Sequence, residues 1–327
     1  MFYLMIMMST FFVISANSWF SMWVGLEINM LSIIPLMNNM KTSYSTESSL
    51  KYFIIQAMAS SILLMSIISL SKESSIQLIN NLMFIFLNSS LLLKMGMSPF
   101  HFWFPEVLEG LNWSNCMIIM IWQKISPMIM IMYNSNNYFF LILVIIVGVI
   151  ISGIMGINQI SIRKIMAYSS INHMSWMLSS LLMSPLIWLN YFLIYVILNL
   201  MISVFFLIKN IFFFQQIFLL KNNIFLIIFI LNFLALGGLP PFIGFFSKWL
   251  VIQILLNQKM IILGLFLVVF SLISLFYYTR LIMVSFLINL PKINLLNFEY
   301  YYLTYYWKFL MTSILSLFFS TLVYNLF

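Results

Sequence analysis

The 327-residue chain is 64% hydrophobic and 6% charged, with a formal net charge of +8 and a mean hydropathy of +1.11. A soluble domain carries roughly 25% charged residues, so this composition excludes a water-soluble enzyme or binding module as the body of the chain. The lysines are scattered among apolar stretches instead of lining one face, which excludes a nucleic-acid patch and reads as membrane topology.

A bilayer core about 30 Å thick takes roughly 20 apolar residues per helix. Eleven such segments follow one another along the chain: 2–18, 20–37, 50–70, 78–102, 114–133, 138–157, 164–183, 186–208, 224–250, 261–287 and 307–326. They are near-continuous runs of Phe, Leu, Ile and Val, as over 138–155, and not the ten-residue alternation of an outer-membrane barrel. The expectation is an all-α membrane protein of about 11 transmembrane helices joined by short loops. Met1 leads straight into an apolar segment with no basic n-region or Arg-rich presequence, so no cleavable signal is expected. Heavy use of Phe, Ile, Met, Asn and Lys with no Asp fits an organelle-encoded chain.

Loops on the N-terminal side carry Lys41, Arg163, Lys164, Lys209, Lys221 and Lys292, against Lys72 and Lys259 opposite. The positive-inside bias puts the N-terminus on the synthesis side, and an odd span count puts Phe327 on the other.

Two segments are interrupted. The fourth reads Lys94-Met95-Gly96-Met97-Ser98-Pro99 and the ninth Leu236-Gly237-Gly238-Leu239-Pro240-Pro241, and in each the prolines are expected to break the helix. Broken helices five positions apart cross in opposite directions. That predicts an inverted repeat of five-helix halves, 1–133 and 138–287, with 307–326 appended, and a pathway near the midplane as in secondary transporters. The plainer alternative is a pair of proline kinks.

Glu27, Lys94, Lys124 and Lys248 fall at membrane depth. A charge at the bilayer centre costs at least ~2.5–3.5 kcal/mol, so each is expected to face the bundle interior. Burial disfavours a charged form and a nearby opposite charge restores it, so a buried lysine whose partner comes and goes binds and releases a proton. On this reading Glu27 and Lys94 form an input pair, Lys124 a central relay and Lys248 the exit-side group. His173 is a candidate relay, or else a hydrogen-bonded packing residue. Ser98, Ser126, Ser169 and Ser170, with water, fill the gaps. The competing reading is that these charges clamp helices or snorkel to an interface. His101, Glu106 and Glu109 are expected to make interfacial or subunit contacts, and Trp19, Trp113, Trp188, Trp249 and Trp307 to anchor span ends. The sole cysteine, Cys116, excludes an intrachain disulfide and an iron–sulfur cluster held by this chain alone. No Gly-rich phosphate loop is present.

Several stretches together resemble the antiporter-like subunits of respiratory complex I over essentially the whole chain. They are Gly25-Leu26-Glu27-Ile28-Asn29, Lys94 through Trp103 with Pro105-Glu106-Val107, Trp122-Gln123-Lys124-Ile125-Ser126-Pro127, Arg163 through Trp176, and Gly237 through Phe242 with Lys248-Trp249. The family's pathway carboxylate then falls on Glu27 and its lysines on Lys94, Lys124 and Lys248. The resemblance implies proton translocation across the mitochondrial inner membrane, with the N-terminus in the matrix and the C-terminus in the intermembrane space. It implies other membrane-arm subunits as partners, while NADH, FMN, iron–sulfur clusters and ubiquinone belong to other subunits and this chain binds no cofactor. Fuller family members have about fourteen helices, so this chain resembles a form that lacks three at the N-terminus. A lysine at 248 and no long lateral helix narrow the paralogue. Basic matrix-side loops suit phospholipids, cardiolipin among them. A stand-alone cation/proton antiporter and a structural subunit without its own proton path are the alternatives.

Overall fold

The computed structural model describes residues 1–38, 43–71, 77–134, 137–219, 223–240 and 242–289, and the regular elements among them are helical. In chain order they are α1 (Phe2–Ser15), α2 (Trp19–Met37), α3 (Ser43–Ser71), α4 (Gln77–Met95), α5 (Trp103–Gly110), α6 (Trp113–Met120) and α7 (Ile125–Tyr133). There follow α8 (Tyr138–Ile157), α9 (Ile162–Met183), α10 (Pro185–Lys209), α11 (Asn223–Gly237), α12 (Ile243–Asn257) and α13 (Ile261–Asn289). Helix is what runs this apolar require, because in hydrocarbon each backbone N–H and C=O needs a partner within its own segment.

Helices fall in each of the first ten expected segments: the fourth ends early, at Met95, with the short α5 lying beyond its expected end at 102, the fifth is divided into α6 and α7, and the ninth into α11 and α12. Six stretches of the described residues are long and apolar enough to cross a bilayer: α2, α3, Trp113–Tyr133, α8, α10 and Ile261–Met283. The expected segment 307–326, with Trp307, Lys41, Lys72, Lys221, Pro241 and Lys292, lies outside the described residues. Large apolar side chains such as Phe11, Leu31, Met65, Phe139, Ile262 and Leu272 point outward, as suits a surface against lipid.

The hub is α9. It packs against α5, α6, α7, α8, α10, α12 and α13. Nearly all its side chains are buried, Ser169, Ser170, Asn172, His173, Ser175 and Ser179 included. A helix buried on every face has no amphipathic stripe, so its polar residues must find partners inside the bundle.

Both interruptions have the same backbone cause, and it differs from the sequence expectation. Each helix ends at a glycine in left-handed conformation, Gly96 at φ 70° and Gly238 at φ 76°. The hydrogen bonds are matched: Gly96 N–H donates to Leu93 O and Met97 N–H to Leu92 O, while Gly238 N–H donates to Ala235 O and Leu239 N–H to Leu234 O. This is the glycine-capped ending that satisfies the last carbonyls of a helix, with proline following because it cannot continue the turn. Glycine stops the helix and proline keeps it stopped.

A third irregularity lies in the fifth segment, where Trp122–Lys124 form a 3₁₀ turn between α6 and α7. Pro127 has no N–H to offer the carbonyl of Gln123, so the regular ladder fails at that turn. The chain thus loosens at or next to each of the three deep lysines.

The loops expected on the N-terminal side do assemble on one face. Ser161 bridges Phe213, Arg163 Nη1 donates to Leu111 O at 2.7 Å, and Trp113 Nε1 donates to Ile211 O at 2.8 Å. Trp113 and Trp188 are buried, which corrects the expectation that they anchor an exposed interface. Trp113 instead pins the 210–212 loop.

Candidate functional site

Lys94, Lys124 and Lys248 are all buried, at 6%, 1% and 7% exposure. Side chains of this length stay inside a bundle only where something offsets the lost hydration of the ammonium group. Each lysine has found a different answer.

Lys94 sits in the last turn of α4, where the negative end of the helix dipole favours a cation. Glu27, half-buried on α2, is near enough to act on it electrostatically but falls short of a salt bridge. One carboxylate oxygen of Glu27, Oε1, is buried with no hydrogen-bond partner among the described residues.

Lys124 lies in the 3₁₀ turn and donates through Nζ to the Tyr195 hydroxyl at 2.9 Å, which in turn donates to Met120 O at 3.1 Å. The ammonium also stands 5.3 Å from the Phe104 ring centre and 5.1 Å from that of Tyr195, within cation–π range. Among the described residues no carboxylate is bonded to it.

Lys248, on α12, reaches back across the second break and donates to Gly237 O at 2.9 Å. That carbonyl belongs to the last residue of α11, one of the orphan acceptors of a helix end. Trp176 of α9 lies beneath it, with its ring centre 5.7 Å from Nζ.

His173 joins the last two. Its Nδ1 pairs with the Tyr191 hydroxyl at 2.9 Å and its ring lies 5.4 Å from that of Tyr195, while Lys124 and Lys248 both act on it electrostatically. Nε2 is buried with no partner among the described residues. Lys124, His173 and Lys248 therefore form one cluster around α9, and Glu27 with Lys94 forms a second around the first break. Ser169 and Ser170 lie buried on α9, and Ser98 and Ser126 are buried with unpartnered hydroxyls.

Sequence reasoning missed the tyrosines. Tyr191, Tyr195, Asn199 and Ser203 are all buried and recur every fourth residue on α10, a polar stripe within an apolar span. That period was legible in the chain. Tyr277 and Tyr278 of α13, also buried and with ring centres 4.5 Å apart, had no such signal.

The expected interfacial residues divide. Glu106 and Glu109 line an open cleft on the loop face, where Lys51 Nζ lies 3.0 Å from Glu106 and 2.8 Å from Glu47, and Lys164 Nζ lies 2.7 Å from Glu109. His101 is 2% exposed and packs between Phe102 and Tyr168, so it is an interior residue and not an interfacial one. A bundle with buried amines, an imidazole and hydroxyls in sequence can hold and hand on protons; among the described residues no three His, Cys, Asp or Glu side chains gather as a metal site.

Residues 16–274 match the family model described as NADH:quinone oxidoreductase/Mrp antiporter, TM. Over 296 residues the chain is 48% identical to NADH-ubiquinone oxidoreductase chain 2 of Anopheles gambiae, an alignment covering 89% of this chain and 86% of the relative. It is 44% identical over 280 residues to the protein of that name from Locusta migratoria, covering 84% and 82%. A chain of respiratory complex I from Thermus thermophilus with bound aureothin superposes with a TM-score of 0.85 at 20% identity, covering 98% of this chain and 77% of that one.

Proposed function

The chain belongs to the NADH:quinone oxidoreductase/Mrp antiporter family and, within it, to the NADH-ubiquinone oxidoreductase chain 2 proteins; from that premise we propose that it is a proton-translocating membrane-arm subunit of respiratory complex I. NADH oxidation and ubiquinone reduction, with FMN and the iron–sulfur clusters, belong to other subunits, and this chain moves protons along Glu27, Lys94, Lys124, His173 and Lys248. It works in the mitochondrial inner membrane beside other membrane-arm subunits, N-terminus toward the matrix and C-terminus toward the intermembrane space, with cardiolipin against its basic loop face. Residues 1–133 and 138–287 act as two inverted halves.

One observation carries the reading. The three salt bridges found among the described residues all lie on the loop face, and none involves a deep lysine. A charge kept only to clamp helices would be paired, since an uncompensated buried ion is costly. Lys124, bonded to a neutral phenol, suits a group that spends part of its cycle as the amine.

In the proposed cycle, a change of charge or conformation passed from the redox subunits alters the field at Glu27, and Lys94 and Lys124 change protonation in turn. Each proton driven against 100 mV costs about 2.3 kcal/mol, so the steps are tied to redox free energy. Tyr195 orients the Lys124 amine, and His173 links it to Lys248, which the Gly237 carbonyl receives in its charged form.

The test is Lys124→Ala in the assembled complex. Coupled NADH:quinone turnover falls about 10²-fold, the lower range for removing a positioned proton-transfer group. Normal turnover with a normal proton-to-electron ratio sinks the proposal.

A further inference from the structure

The loop face is basic as a whole, yet the cleft within it is not. Half of the chain's six acidic residues, Glu47, Glu106 and Glu109, line that cleft together with Lys51, Arg163 and Lys164. It offers about 930 Å³, near the top of the range for small-ligand sites.

The charges are shared unevenly. At the α3 end, the single Lys51 ammonium serves both Glu47 at 2.8 Å and Glu106 at 3.0 Å, so one negative charge is left over. These two carboxylates are 62% and 55% exposed, open to a cationic guest. At the α9 end, Lys164 pairs with Glu109 at 2.7 Å, while Arg163 makes no salt bridge among the described residues. Arg163 gives Nη1 to Leu111 O and lies 4.8 Å from the Phe212 ring centre, and its Nε is buried with no partner. Arg163 and Lys164 both stand in the first turn of α9, where the helix dipole disfavours cations and attracts anions. That helix start has no side-chain cap, and its N-cap hydroxyl, Ser161 Oγ, is buried and unpartnered. The cleft is therefore short of a cation at one end and of an anion at the other.

Its surroundings are apolar. Around Lys51, α3 turns Leu50, Phe53 and Ile54 outward, and Tyr44 and Phe213 stand exposed at the cleft itself. Exposed aliphatic residues ending in aromatic ones mark the level of lipid headgroups. We propose that the cleft binds the headgroup of a phosphatidylethanolamine, its phosphate toward Arg163, Lys164 and the start of α9, and its ammonium between Glu47 and Glu106. A primary ammonium has three N–H donors for charge-assisted bonds to carboxylates, and the trimethylammonium of phosphatidylcholine has none. Cardiolipin brings two phosphates and no cation for the acidic end. The bound headgroup ties α3 to α9 across α5, the arm that follows the first break.

Density for the assembled complex in nanodiscs tests the site. In phosphatidylcholine discs containing about one-fifth phosphatidylethanolamine, a phosphate lies within about 3.2 Å of an Arg163 or Lys164 nitrogen and an ammonium equally near Glu47 or Glu106. In discs of phosphatidylcholine alone the cleft holds no headgroup. Glu47→Gln/Glu106→Gln keeps the shape and removes the charge, and the phosphatidylethanolamine fraction that half-fills the cleft rises at least roughly tenfold, as for losing one charged hydrogen bond. Equal density in both discs, an empty cleft in both, a segment of a neighbouring subunit in it, or an unchanged half-filling fraction in the variant overturns the site. Soluble phosphoethanolamine added to the phosphatidylcholine discs separates the two sources of this headgroup: a cleft left empty supports the lipid, and a filled one overturns it. Should the variant fail to assemble, the wild-type maps decide.

Discussion

The two interrupted helices use one backbone device and surround it with different chemistry. At the first break, Lys94 stands inside the helix end, with the Glu27 carboxylate in electrostatic range and a polar cavity alongside. At the second, Lys248 approaches from the far arm and is held by the Gly237 carbonyl and the Trp176 ring. A carboxylate changes charge with protonation, whereas a backbone carbonyl is a dipole of fixed sign. On the proposed proton path the first break switches and the second receives.

That contrast is open to substitution at the glycines. The largest effect is expected at Gly244, where a methyl group would collide with the Ala235 carbonyl of the opposite arm. Gly244→Ala forces the arms of the second break apart at ~3 kcal/mol or more, seen as loss of assembled complex on a native gel. Next come the two capping glycines, each at a cost of ~1–2 kcal/mol for a left-handed backbone with a side chain. At Gly96 the new Cβ would meet Phe104 at 2.8 Å, so Gly96→Ala lowers assembly first. At Gly238 it would meet the Lys248 side chain at 3.0–3.1 Å, so Gly238→Ala displaces the amine from Gly237 O and lowers pumping more than assembly. Equal effects of both on proton-to-electron ratio would erase the distinction between switching and receiving ends.

Tyr195→Phe is expected to be milder. It leaves the Lys124 ammonium without its hydroxyl acceptor, about 1–3 kcal/mol for an unsatisfied buried donor, read as coupled turnover slower by roughly tenfold. The smallest effect belongs to the loop face. Lys51 is 42% exposed between Glu47 and Glu106, so Lys51→Ala changes thermal stability by less than ~0.5 kcal/mol, and added salt narrows the difference further.

Much of the site could be read from hydrocarbon energetics. The cost of burying charge singled out Glu27, Lys94, Lys124 and Lys248, and three of them are buried as that cost demands. The tyrosines escaped because a phenol is at home both in a core and at an interface, so Tyr191 and Tyr195 carry no penalty that marks them. Asn29 and Gln123 lie 94 residues apart, and nothing in either local sequence says that they meet. His101 looked interfacial beside Pro99 and Glu106, yet α5 folds it inward against Tyr168.

The chain alone determined that it would be helical, that its fourth and ninth segments would be interrupted, and that its deep lysines would turn inward; that the glycines and not the prolines end those helices was seen only in the structure. The first three follow from local rules: backbone bonds must close within an apolar segment, proline cannot continue a helix, and an ammonium group is not left in lipid. Which partner each charge received was decided by packing, around α9 for Lys124 and Lys248 and between α2 and α4 for Lys94. A side chain's hydrogen-bond partner depends on which helix is laid against it, and that is settled by the shape of the whole bundle.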